Sequence, residues 1–436
     1  MQSHIFEGMD AMELSNSVLG TRGGSMRYTD NDIVSPDVYA DEMKLHAMFA
    51  AMRRQEPVRW TTPDDYRPFW AITKYADIAE IERRTDIFRA GPRNRLLTVQ
   101  EEELAKGMGG GRLIQSLPSM DDPDHTKYRA ITRKWFLPAN LKILRYQIEK
   151  LAHKYLDRIC DGGEIEFVDT VALRLPLSVI MLILGIPESE MDTLHRLTGE
   201  LFAPHDPDTA RNEDVAAGSA AAATEFMDYY ARLIASRRGK DGNDLVTIIA
   251  NATIDDAPIS DRHALSYCVS ITAAGHDTTA SSIAGGLHAL ASTPGEYEKL
   301  RNNSDLVNTA VEEIFRYVSP VRNFMRVAIE DVTIRSQRIR AGEAVLNLYP
   351  SANRDEDAFK DGNLFKIDRE ARAHLAFGTG AHACLGMNLA RMELQIFYTE
   401  FVKRVKEITL LGPVSWTRAN FLGGPKSLPV KCDFAI

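Results

Sequence analysis

The spacing of apolar and polar residues separates helix-rich stretches from short strand-bearing ones. Residues 41–55 (DEMKLHAMFAAMRRQ) carry apolar positions at helical intervals, and two runs of β-forming residues, VRWT and FWAITK, follow them. Residues 94–117 hold the glycine cluster GMGGGR and predict a long loop with a little helix. Helical periodicity then dominates from about residue 121 to 292, broken at the polar segments CDGGE, APHDPD and RRGKDGND. Short strands return in RVAIEDVTI and EAVLNLY, a last long helix follows Gly386, and NFLGGPKSLPV near the end has the residues of a hairpin turn. The pattern predicts a mainly α chain with a minor β portion. Residues 1–35 are expected to form a partly mobile leader, and residues 36–436 a single domain.

One helix stands out by length. With Ser260 as its N-cap it runs to about Ser292, roughly 30 residues or about 45 Å at the helical rise. Its small and apolar residues Ala273, Ala274, Ala280, Ile283 and Ala284 predict a path through the core. Beyond it, Thr293 is expected to cap the next helix, with Pro294 in the first position and Glu296 as capping-box partner. The most apolar stretch, LPLSVIMLILGIP, is too short to cross a bilayer and reads as a buried helix.

Composition narrows the class. Hydrophobic residues are 44% and charged residues 26%, the balance of a globular protein. A net charge of -9 argues against a nucleic-acid binder. Cys160, Cys268, Cys384 and Cys432 are scattered, which excludes a disulfide framework or a four-cysteine zinc site. The start, MQSHIFEGMDAMEL, has neither a basic region nor an apolar run, so a cytoplasmic protein without a membrane span is expected. GMGGGR lacks both GK[ST] and a strand–GxGxxG–helix setting, and is not read as a nucleotide loop.

The densest chemical signal is the segment FGTGAHACLG, residues 377–386. Its glycines permit a tight turn beneath a flat ligand. Cys384 stands just before a helix, whose free N–H groups and positive dipole end favour thiolate over thiol. A buried free cysteine in a glycine-rich turn is the plain alternative. In AGHDTT, Gly275 and the paired threonines Thr278 and Thr279 are poor mid-helix residues. Their presence predicts a local opening in which the Thr278 hydroxyl bonds into a groove rather than to its own helix. An Asp277–Thr278 pair on a solvated face is the alternative there. Glu313 and Arg316 share one helix face, as do His125 and Arg129, and each pair alone would pass for a surface pair.

Taken together, Phe377, Gly378, Gly380, His382, Cys384 and Gly386 resemble the cysteine loop of the cytochromes P450 at every fixed position. The resemblance implies the P450 fold, with haem b held between the long central helix and the cysteine loop. It implies Cys384 as the iron ligand, and a thiolate there favours O–O cleavage. AGHDTT resembles the family's oxygen-activation segment, which implies proton relay by Asp277 and support of oxygen activation by Thr278. His125, Arg129, Arg326 and His382 match the family's propionate partners, with Phe377 and Gly378 beside the cofactor. Glu313, Arg316 and Arg354 match a buried structural network. Lys127, Arg133, Lys134 and Arg391 form either a basic patch for an acidic electron-transfer protein or a solvated charge run.

LPSMDDPDHTKYR, FMRVA, YPSANRDE and NFLGGPK are similar to the bacterial, ferredoxin-fed members, in particular the terpineol-hydroxylating branch. That likeness implies a monomeric monooxygenase using O2 and two electrons from an iron–sulfur ferredoxin and its reductase. It places Leu113, Ile114, Leu117, Phe202, Ala273, Ala274, Phe324 and Leu422 around a small hydrophobic substrate, a monoterpenoid or an alkyl-aromatic, held by shape. Each of these residues would also serve as ordinary core. The rivals are a peroxide-driven peroxygenase, which would not need the Asp277–Thr278 relay, and a haem-thiolate sensor or carrier.

Overall fold

Helices enclose the centre of the molecule while a twisted sheet flanks it. The structure is a computed structural model and describes residues 26–107, 114–159, 163–211 and 214–434. The described residues begin inside the expected leader. Asp30–Val34 is helical, closed by a capping box between Thr29 and Asp32, and its Ile33 and Val34 are buried. Burying that apolar pair anchors residues the sequence assigned to the leader.

Among the described residues nine helices have ten or more residues. They are α1 (Glu42–Gln55), α2 (Asp124–Arg133), α3 (Pro138–Asp157), α4 (Arg174–Leu184), α5 (Met191–Phe202), α6 (Val215–Arg237), α7 (Asp261–Ser292), α8 (Val307–Val318) and α9 (Met387–Arg404). The LPLSVIMLIL run is α4, buried along almost its whole length and stopped by Gly185 in the left-handed conformation, φ 69°. Only glycine adopts that turn cheaply, so the helix ends there. Helix α7 follows the sequence reading closely, and the Ser260 side chain accepts the N–H of His263 at its start. It packs against α4, α6, α8 and α9, and therefore crosses the core.

The expected cap at Thr293 does not form. Thr293 is the C-terminal flank of α7, and the next helix starts at Glu296 behind Gly295, φ 78°. The left-handed glycine turns the chain too sharply for the threonine side chain to reach the first turn, and Glu296 instead accepts the N–H of Ile367.

The sheet contains β1 (Val58–Thr61), β2 (Phe69–Ile72), β3 (Phe88–Arg89), β4 (Asn323–Ala328) and β5 (Ala344–Leu348), in the order β1-β2-β5-β4-β3. Val345 lies opposite Arg326 across the antiparallel β5–β4 pair and opposite Trp70 across the parallel β5–β2 pair. This register places Phe324 and Arg326 on a common face, since side chains alternate along a strand. Among the described residues no helix is long and apolar enough to cross a membrane.

Candidate functional site

The cysteine loop owes its shape to two glycines. Gly378 and Gly380 have φ of 63° and 70°, and a Cβ on Gly380 would lie 2.7 Å from the Glu82 carbonyl oxygen. The Cys384 N–H donates to the Phe377 carbonyl at 2.8 Å and closes the loop. Burial pushes the Cys384 thiol up from its ordinary value; the N–H groups of Gly386 and Met387, with the Arg129 and Arg391 guanidiniums, pull it down without reversing the shift.

Cys384 opens onto a cavity walled by this loop and α9 on one side and by Ala273, Ala274 and Thr278 of α7 on another. His125, Arg129, Arg326 and His382 all reach it, as do Phe377 and Gly378. The His125 and His382 rings lie 4.2 Å apart, and Arg129 donates to the Ala383 carbonyl at 2.6 Å. Burial, with Arg326, His125 and Arg129 nearby, pushes His382 down to about 3. His125 and Arg326 are 2% and 3% exposed, yet among the described residues His125 Nε2 and Arg326 Nε have no hydrogen-bond partner. Buried donors are rarely left so, and two arginines with two histidines call for anionic oxygens. The two propionates of a haem fit that donor set. The aromatic and glycine lining at Phe377 and Gly378 fits its flat ring.

The distal wall departs from expectation in two respects. Helix α7 is continuous, and the Thr278 hydroxyl donates to the Ala274 carbonyl of its own helix at 2.8 Å. No local opening accompanies AGHDTT. The back-bond satisfies the hydroxyl within the helix, as threonines in helices commonly do. Asp277 does not line the cavity; its carboxylate lies 2.9 Å from Nε2 of His276, a fully buried ring whose Nδ1 donates to the Thr272 carbonyl. Burial disfavours a charged His276, but Asp277 outweighs it and raises the ring's pKa.

Glu393 of α9 lines the same cavity and escaped the sequence reading. Among the described residues neither of its oxygens has a hydrogen-bond partner, and burial pushes its carboxyl well above the usual range. A lone Glu in RMELQIF carries no local sign of this.

The structural network forms with one member exchanged. Arg316 donates to Glu313 through Nε and Nη2, both at 2.7 Å, and through Nη1 to the carbonyls of Asn353 and Gly362. The second cation on Glu313 is Arg369 at 3.2 Å, not Arg354. Arg354 lies 4.0 Å above the Tyr317 ring and donates to the Tyr317 carbonyl. The chain folds back between these two arginines, so the later one arrives at the carboxylate.

Of the substrate residues, Leu117, Phe202, Ala273, Ala274, Phe324 and Leu422 line the cavity. Ile114 packs against the main core instead, and Leu113 lies outside the described residues. In the basic patch, Lys127 pairs with Asp255 and Arg391 with Glu312, while Arg133 and Lys134 are exposed at the end of α2. The first is a surface ion pair and the second a partly buried one.

A cysteine-bearing loop, a cationic cradle that fits propionates and an apolar wall facing the cysteine together define a haem-thiolate monooxygenase, with iron protoporphyrin IX as cofactor. The chain belongs to the cytochrome P450 family, whose model matches residues 213–408. It is 35% identical over 414 residues to "Cytochrome P450-terp" of a Pseudomonas species, covering 92% of this chain and 96% of that relative. Identity to linalool 8-monooxygenase of Pseudomonas putida is 32% over 402 residues, covering 92% and 98%. The crystal structure of CYP108D1 from Novosphingobium aromaticivorans DSM12444 superposes with a TM-score of 0.86 at 35% identity, covering 93% and 98%.

Proposed function

We propose that this monooxygenase hydroxylates a compact, largely hydrophobic molecule of the monoterpenoid or alkyl-aromatic kind, with electrons from an iron–sulfur ferredoxin and its reductase. The observation that carries this reading is the apolar wall formed by Leu117, Ala273, Ala274, Phe324 and Leu422, in the same cavity as Cys384. Such a wall selects by shape and by exclusion of water. Likeness to a linalool monooxygenase supports the same size of substrate.

When bound, the haem supplies oxygen activation at the iron held by Cys384. His125, Arg129, Arg326 and His382 orient it through its carboxylates. Thr278 presents a hydroxyl at the distal wall, and Asp277 carries protons toward it after turning from His276. That acid–alcohol pair favours dioxygen over peroxide as oxidant, because only the dioxygen route requires delivered protons. The exposed Arg133 and Lys134 suit an acidic electron donor.

The test is a spectral titration of the holoenzyme with α-terpineol, linalool and 4-isopropyltoluene, followed by product analysis with a ferredoxin system. A shift from low to high spin and a hydroxylated product from at least one is expected. No shift and no product from any of the three would refute the substrate class.

A further inference from the structure

An arginine interrupts the aromatic part of the cavity wall. Arg95 lies between β3 and the helix Val99–Gly107, and its guanidinium carbon is 4.4 Å from the Phe421 ring centre and 5.1 Å from that of Phe202. Those rings stack 6.2 Å apart at 27°. Phe202 ends α5, and Phe421 sits beside Leu422 in the hairpin-like tail, so three separate segments converge on one guanidinium.

The neighbouring Arg93 differs from Arg95 in having a carboxylate within ion-pair distance, although its own Nε makes no hydrogen bond either. It pairs with Glu102 at 2.8 Å and donates to the carbonyls of Arg67 and Pro68. Among the described residues Arg95 has no hydrogen bond and no ion pair; its Nε is buried without a partner. Burial lowers its pKa, opposed by the more distant Glu101. The Glu101 carboxylate is engaged elsewhere, accepting the N–H and hydroxyl of Thr98. The aromatic faces offset part of the cost of a dry cation but supply no acceptor for its N–H groups. Arg129 and Arg326 are directed to the cofactor's carboxylates, whereas Arg95 stands among substrate-contacting rings.

We propose that Arg95 is a substrate-binding residue that takes the carboxylate of an amphipathic substrate, a compact hydrocarbon skeleton bearing one acid group, while the hydrocarbon part lies along Leu117, Ala273 and Ala274. This rests on reading the cavity as the substrate site, and narrows the substrate from a plain hydrocarbon to an acid. A fork of N–H donors matches a carboxylate, and Phe202 and Phe421 keep competing water away.

The experiment compares 4-isopropylbenzoate with 4-isopropylbenzamide, a neutral molecule of the same shape, by spin-state titration of holoenzyme at constant pH and salt. Wild type is expected to bind the acid roughly tenfold to a hundredfold more tightly, the range for hydrogen bonds to a charged group. Arg95→Leu should abolish the preference while still binding 4-isopropyltoluene, and Arg95→Lys should restore part of it. No preference for the acid in wild type, or a preference that survives in Arg95→Leu, would overturn the assignment. Loss of haem from Arg95→Leu would also overturn it, by making Arg95 a cofactor ligand. The substrate class fails separately: a shift with the acid but none with any terpene or hydrocarbon leaves Arg95 standing alone.

Discussion

Asp277 lies 2.9 Å from Nε2 of the buried His276, on the side of α7 away from the cavity that Thr278 lines. Two adjacent residues of one helix thus face different environments, one toward α5 and one toward the cofactor. Thr198 of α5 also approaches His276 Nε2, at 3.1 Å, so the position of α5 bears on where the carboxylate rests. Asp277 is 20% exposed and so keeps contact with solvent while paired. Asp277→Asn should leave haem content and the substrate-induced spin shift intact. Turnover should fall by roughly a hundredfold or more, the usual scale for losing a positioned proton carrier. A turnover number unchanged from wild type, with its solvent isotope effect also unchanged, would remove Asp277 from proton delivery.

The role proposed for Thr278 takes a different route. Its hydroxyl is committed to the Ala274 carbonyl, which leaves its oxygen free to accept from a bound water or ligand in the cavity. Thr278→Ala should therefore bind haem and substrate normally yet divert electrons into hydrogen peroxide. The ratio of product to reductant consumed is the measurement. Equal coupling in variant and wild type would defeat the assignment, and Thr278→Ser, which restores the hydroxyl, should recover much of it.

The exchange of Arg354 for Arg369 in the Glu313 network separates two arginines that the sequence cannot rank. Glu313 and Arg316 are both 0% exposed, and Arg369 supplies the second cation to that carboxylate. Removing one partner of a buried pair leaves an uncompensated charge, at a cost of about 3–5 kcal/mol. Arg316→Leu should cost that much in denaturant unfolding of the holoprotein, and Arg369→Leu somewhat less because its side chain is 11% exposed. In Arg354→Leu the Glu313–Arg316 pair stays intact, so its loss should resemble that of a stacked aromatic contact. A larger loss at 354 than at 369 would contradict the geometry.

What was legible in the chain follows from how local each signal is. The cysteine loop and the Ser260 cap depend on residues within one turn of each other, so spacing alone locates them. Three strands of the main sheet fall within strand-like runs for the same reason, whereas Asn323–Ala328 begins three residues before RVAIEDVTI and the two-residue edge Phe88–Arg89 lies in none. Arg95, Glu393 and Arg369 are single residues whose partners come from distant segments, and no periodicity marks them. The Thr293 cap failed because one backbone angle, at Gly295, redirects the chain. The Thr278 back-bond was hidden because a threonine on a helix has two acceptable destinations for its hydroxyl, and only the packed structure chooses.

Acid sensitivity can be assigned to one carboxyl near the cofactor cradle. Glu312 follows Val311 on α8 and meets Arg391 at 2.7 Å and 2.9 Å and His374 at 3.3 Å. Burial opposes its charge, but these partners win and hold the carboxyl down to about 2. A carboxyl held below its ordinary value stabilises the folded state fully above that value and loses the contribution as pH falls toward 2, because the unfolded chain takes up the proton first. The difference is worth at most ~3 kcal/mol. In Glu312→Gln the slope of unfolding free energy against pH should flatten between about pH 4.5 and 2 relative to wild type, with a loss of stability at neutral pH. Since Arg391 also lies 4.9 Å above the Phe377 ring, the same variant should release haem faster at neutral pH. Parallel pH slopes for the two proteins would show that the ion pair contributes nothing to folding.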